Sequence, residues 1–176
     1  MILANIESLV IGYLPMPSII TLRQSEPRDG IDPDLVLPII IGTMEASSIA
    51  AAIEGEPNER PLTHVLTADI VKSMGGSVSR IVIDRVEGTI YYCTVYLRLQ
   101  SGMFTRVDAR PSDAIALAVR TNTPIFVEDE VFQNAGTPRS FSASPCDRRI
   151  EIEEFDKFIE QVKPEDFVAH YSESGS

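Results

Sequence analysis

From Val78 to Ala109 three extended, apolar-rich runs (Val78 to Asp84, Thr89 to Leu99 and Met103 to Ala109) are separated only by short turns at Glu87-Gly88 and Ser101-Gly102. Connections this short join antiparallel neighbours, because a parallel pair needs a crossover of a dozen or more residues. At least part of the sheet must therefore be an antiparallel meander. Its last run passes straight into Pro111, a residue suited to the first position of a helix, and the spacing predicts that helix over Ser112 to Arg120.

The flanking regions supply the rest of the framework. Ile6 to Tyr13, Ser18 to Gln24 and Leu35 to Gly42 read as strands, and SEPRDGIDPD between the last two is a turn-rich hairpin loop. Thr43 is expected to cap a helix that carries Glu45 in its first turn, runs through Ala46 to Glu54 and stops at Gly55. Thr63 is expected to cap a second helix, with Leu62, Leu66, Ile70 and Met74 as the core-facing stripe and Gly75-Gly76 as its end. Pro124 to Val127 reads as a last short strand before an acidic helix start at Glu128, Asp129 and Glu130. These elements predict an α+β fold, with a largely antiparallel or mixed sheet flanked by helices, over residues 1–136. A polar linker is expected over 137–150. An acidic segment follows over 151–176, in which Ile152, Phe155, Ile159 and Val162 define an amphipathic helix stopped by Pro164.

Charge separates those regions further. The 176 residues carry a formal net charge of −11, but eight acids and two lysines from Glu151 onward hold −6 of it. Of the thirteen basic residues before them twelve are arginine, whose planar fork suits phosphate or carboxylate. No apolar run reaches the roughly 18 residues that span a bilayer, and no basic n-region precedes an apolar segment. No membrane partner is expected, and the expected location is the cytoplasm. Cys93 and Cys146, 53 positions apart, match neither a disulfide framework nor a metal-ligand spacing and are expected as free thiols.

The familiar catalytic signatures are missing: there is no phosphate-binding glycine loop, nucleophile elbow, paired-histidine helix or Cys/His zinc pattern. Carboxylates, arginine and one well-placed histidine remain, a set that could hold a hard divalent cation and orient a phosphodiester. VDARPSDAIALAVR (107–120) concentrates them, with Asp108 ending a strand, Arg110 before the proline, and Ser112 and Asp113 in the first helical turn. Free amide groups there favour an anion. The plainer alternative is that Asp113 complements the helix dipole, Asp108 pairs with Arg110 and Ser112 caps locally. His64, about 160° around its helix from the Leu62, Leu66, Ile70 stripe, is expected to face away from the core, as a general base, a metal ligand or an exposed residue. Glu45 and Glu54 lie nine apart, about half a turn around their helix axis, so they cannot both line one small site.

Four blocks carry a family resemblance: LPIIIGTMEASSIAAAIEG (37–55), RPLTHVLTADIVKSMGG (60–76), VDARPSDAIALAVR (107–120) and PIFVEDEVFQNAG (124–136). In order and separation they resemble the bifunctional nuclease domain family over roughly residues 5–136. The resemblance implies an α+β domain that self-associates as a dimer or higher homo-oligomer, with nuclease action on DNA or RNA. The positions it carries over are Glu45, Glu54, His64, Asp108, Arg110, Ser112 and Asp113. On this reading Glu54, Asp108 and Asp113 would hold Mg²⁺ or Mn²⁺, Arg110 would stabilise charge on the phosphate, and His64 would move protons, with Glu45 and Ser112 completing the site. The rival reading is a noncatalytic binding or assembly module in which the same residues are structural.

Overall fold

The structure, a computed structural model, describes residues 1–12, 15–55 and 59–139. The amphipathic helix expected over 151–163 and most of the expected linker lie outside the described residues.

Strands β1 (Ile2–Val10), β2 (Ser18–Gln24) and β3 (Leu35–Ile41) form one antiparallel meander, and β4 (Ser77–Glu87), β5 (Ile90–Arg98) and β6 (Phe104–Ala109) form a second. A three-residue strand, β7 (Ile125–Val127), sits between them, parallel to β4 and antiparallel to β1. With β8 (Thr137–Pro138) paired to Leu35 and Val36, the sheet has eight strands in the order β6-β5-β4-β7-β1-β2-β3-β8. The expected mixed sheet is present, and it continues into the first residues of the stretch read as a linker. Strand β1 begins at Ile2, earlier than the expected Ile6, because β7 supplies a partner for Ile2, Leu3 and Ala4.

Helices α1 (Thr43–Ile53), α2 (Thr63–Ser73), α3 (Pro111–Thr121) and α4 (Asp129–Ala135) complete the described fold. The alternation of each strand aims Ile20, Leu22, Leu37, Ile39, Ile81, Ile83, Cys93 and Val95 at one face, where they form the core with Ile49, Ile115, Val131 and Phe132. Helix α3 is buried nearly all round, from Ala114 to Ala118. Its alanines let α1 and α2 both pack against it at close range. The sheet also curls: the Tyr91 hydroxyl on β5 donates to the Pro38 carbonyl on β3 at 3.1 Å, with four strands between the two in the sheet order. The Cys93 thiol is free and pushed up to about 12 by burial, so it stays protonated and packs as a small apolar group.

Two details differ from expectation. Neither threonine is a helix cap: Gly42 and Leu62 hold the N-cap positions, and Thr43 instead donates its hydroxyl to the Gly12 carbonyl at 3.0 Å, tying α1 to the end of β1. The stripe expected to anchor α2 also points outward, with Leu66, Ile70 and Met74 at 52%, 51% and 76% exposure. The inward face is Val65, Ala68 and Val71. These smaller side chains fit the alanine-rich surface of α3, where a leucine and methionine stripe would hold the helices apart.

Candidate active site

Helices α1, α2 and α3 bring their N-terminal turns together. Glu45 is the third residue of α1, His64 the second of α2 and Asp113 the third of α3, while Arg110 is the N-cap of α3. None of the three N-caps, Gly42, Leu62 and Arg110, places a side-chain hydrogen bond on its helix end. Helix N-termini carry positive partial charge and amide donors, so the acids at Glu45 and Asp113 stabilise their own helices, and the neighbourhood as a whole favours anions.

Arg110 and Asp113 link the three turns. The Arg110 Nε and Nη2 donate to the two Asp113 oxygens at 2.7 and 3.1 Å, a bidentate pair, and Nη2 lies 3.1 Å from the Glu45 Oε1. The His64 Nε2 is 3.4 Å from the Asp113 Oδ1. The Arg110 hydrogen bonds hold the Asp113 carboxyl below the usual aspartate range, against the opposing effect of partial burial, and His64 adds to the lowering. The same pairing with Asp113, supported by Glu45, raises the Arg110 guanidinium. With Asp113 ionised, a hydrogen bond between the two has its hydrogen on Nε2 of His64, and in the neutral imidazole the lone pair is then on Nδ1. A Cβ on Gly42 would collide with the Glu45 carboxylate, which folds back over that glycine. Gly42 therefore leaves room for the carboxylate that faces Arg110.

His64 lies some 160° from the Leu66, Ile70 stripe, as expected, but because the stripe faces solvent the histidine turns inward, its side chain only 16% exposed. Glu45, His64, Arg110 and Asp113 thus form one cluster, with Ser112 buried in the turn beneath them. Glu54 and Asp108 do not join it. Glu54 is the C-cap of α1, nine residues or about 13 Å along the helix from Glu45. Asp108 sits opposite Thr94 on β5, so strand alternation turns it to the sheet face away from the helices. It is not the partner of Arg110.

The carboxylates expected to hold a metal, Glu54, Asp108 and Asp113, therefore stand in three different places, and both Asp113 oxygens already accept hydrogen bonds from Arg110. Among the described residues no group of three or more His, Cys, Asp or Glu side chains is placed to hold a metal ion. The expected ligand set does not fit one. A groove of about 560 Å³, lined by Leu3, Asn5, Val119, Asn122 and Pro124 among others, lies at the C-terminal end of α3, away from this cluster.

No helix among the described residues is long and apolar enough to cross a membrane. Residues 28–140 match the sequence profile of the bifunctional nuclease domain. The chain is 38% identical over 141 residues to an uncharacterised protein of Mycobacterium tuberculosis, covering 77% of this chain and 83% of that one. It is 26% identical over 158 residues to "Bifunctional nuclease 1" of Oryza sativa subsp. japonica, covering 85% of this chain and 47% of the plant protein. With "Bifunctional nuclease 2" of Arabidopsis thaliana it shares 34% identity over 95 residues, 53% of this chain and 29% of that one. Most of the chain thus matches less than half the length of these plant relatives, within the segment that holds the four blocks and the helix-end cluster: the chain belongs to the bifunctional nuclease domain family.

Proposed function

We propose that this protein hydrolyses phosphodiester bonds of DNA or RNA at the Glu45, His64, Arg110 and Asp113 cluster. The observation that carries the reading is the His64–Asp113–Arg110 linkage at helix N-termini: one carboxylate fixes a histidine tautomer and a guanidinium beside donors that favour a phosphate. Arg110, with 66% of its side chain exposed, turns from Glu45 and Asp113 toward a bound phosphate and offsets the charge that builds on it. His64 takes a proton from the attacking water through Nδ1 as the new P–O bond forms and the ester P–O bond breaks, and the departing ester oxygen is protonated by solvent water and leaves as an alcohol. Asp113 positions His64, and holds Arg110 at the site until a phosphate takes over the guanidinium.

The pairing itself favours a second reading. Every charge in the cluster already has a partner, which is what a structural clasp between three helix ends requires. Cleavage of an end-labelled oligonucleotide by the purified protein separates the two. Under the enzyme reading His64→Ala and Asp113→Ala each lower the rate by about 10² or more with folding intact. Equal cleavage by variants and wild type assigns the activity to a contaminant and leaves the clasp. The assay is run with Mg²⁺, with Mn²⁺ and with chelator, because divalent-metal assistance is the part of the proposal that the placement of Glu54 and Asp108 does not support.

Self-association belongs to the same proposal. Leu66, Ile70 and Met74 give α2 an exposed apolar stripe that a second copy would cover. Sedimentation of wild type against Ile70→Glu tests it, with a smaller species expected for the variant and equal species overturning it.

A further inference from the structure

The sheet face turned away from the helices differs from the rest of this acidic protein. Across β4, β5 and β6 the pairing aligns Arg80, Tyr96 and Arg106 in one row, and Arg98 opposite Phe104 in the next. The Arg80 guanidinium lies 3.9 Å from the centre of the Tyr96 ring, and its Nε is buried without a hydrogen-bond partner. Phe104 is 58% exposed, and Arg98 and Arg106 are exposed beside it. Arg28, Arg85, Arg110 and Arg139 are ion-paired; Arg80, Arg98 and Arg106, like Arg23, Arg60 and Arg120 elsewhere, have no ion-pair partner among the described residues, but only these three lie together on one face beside aromatic rings. Asp84 and Asp108 flank Thr94 in the adjoining row, so it is the end of the face with Arg80, Arg98 and Arg106 that is locally positive and suited to an external polyanion.

We propose that this face binds single-stranded nucleic acid, with phosphates on Arg98 and Arg106 and bases stacked on Phe104 and on the Arg80–Tyr96 pair. The inference rests on nucleic acid being the substrate, and it assigns a surface outside the Glu45–Asp113 cluster. Aromatic rings interleaved with arginine on an open sheet suit unpaired bases, whose π-faces are free, better than a duplex, whose bases are stacked on one another.

The test is fluorescence anisotropy with labelled 12-nucleotide single strands of DNA and of RNA, and with a duplex, using the full chain in chelator. Expected is tighter binding of the single strands than of the duplex. Arg98→Glu/Arg106→Glu should weaken binding tenfold or more and lower the slope of log affinity against log salt by about 1.4. Phe104→Ala should cost about fivefold or more. Lys72→Glu, a single charge reversal on α2, half the change of the double variant, should have little effect. Arg106→Gln, similar in length and uncharged, covers the case in which the double reversal unfolds. Three results overturn the proposal: no binding by wild type, affinities of Arg98→Glu/Arg106→Glu and Arg106→Gln matching that of Lys72→Glu, or displacement of the strand by polyglutamate at equal charge, which would reassign the face to acidic peptides. The cleavage assay stays independent: if His64→Ala abolishes cleavage while Arg98→Glu/Arg106→Glu binds as wild type, this surface is wrong and the nuclease reading survives.

Discussion

Helices α2 and α3 have the same length, eleven residues, and each sends one side chain into the cluster, His64 from the first and Asp113 from the second. Their environments are opposite. Helix α3 buries seven residues, whereas α2 buries none and rests on half-exposed small side chains. Asp113 is therefore anchored through its helix to the core of the domain. His64 is placed by a helix whose attachment is shallow, so the histidine is the adjustable member of the cluster and the carboxylate the fixed one.

The contrast can be broken from the α3 side first, where the largest effect is expected. Ile115→Ala, at a fully buried position, should cost about 2–5 kcal/mol in denaturant unfolding, and a cost within 1 kcal/mol would show that α3 is not the fixed reference. Next comes the ion pair. Asp113 is depressed in the folded state, chiefly by Arg110, so its stabilisation is present above the unfolded value near pH 4 and is lost as the pH falls through the lower folded value. Because the pair is partly exposed, Asp113→Asn should cost only about 1 kcal/mol at pH 7, and wild-type and variant stabilities should converge on acidification below about pH 4. Curves that stay parallel down to pH 2.5 would remove the ion pair from the account. The smallest effect belongs to α2: Ile70→Ser on the exposed stripe should stay within about 0.5 kcal/mol at concentrations where the protein is monomeric. A larger loss there would mean that the stripe is covered within the monomer.

Much of the framework was readable from local chemistry. Strand β2 has its expected bounds, Gly88 makes the β4–β5 turn with φ of +62°, and Pro111 opens α3, because turn residues and proline act on their immediate neighbours. The orientation of α2 was not readable. Periodicity shows that Leu66, Ile70 and Met74 share a face, but which face is covered depends on the alanines of α3, some fifty positions away. The same distance hides the approach of His64 to Asp113, while the Arg110–Asp113 pair, three residues apart, follows from helix spacing alone. The outer-face arginines left a trace that went unread: FTRVDA alternates, so Phe104, Arg106 and Asp108 had to share a side of their strand.

The short central strand sets the order in which this molecule can be made. Ile2 pairs with Val127, and Ile81 with Ile125, so both meanders stay open along one edge until residues 125–127 are available to close the gap. During synthesis the first meander must wait for nearly the whole domain to leave the ribosome, its β1 edge unpaired and able to engage another chain. Folding should accordingly be slow for a domain of this size, because closing a sheet at its centre joins segments more than a hundred residues apart. Substitutions in Ile125, Phe126 and Val127 should thus affect the yield of folded protein in the cell more than their three-residue strand would suggest.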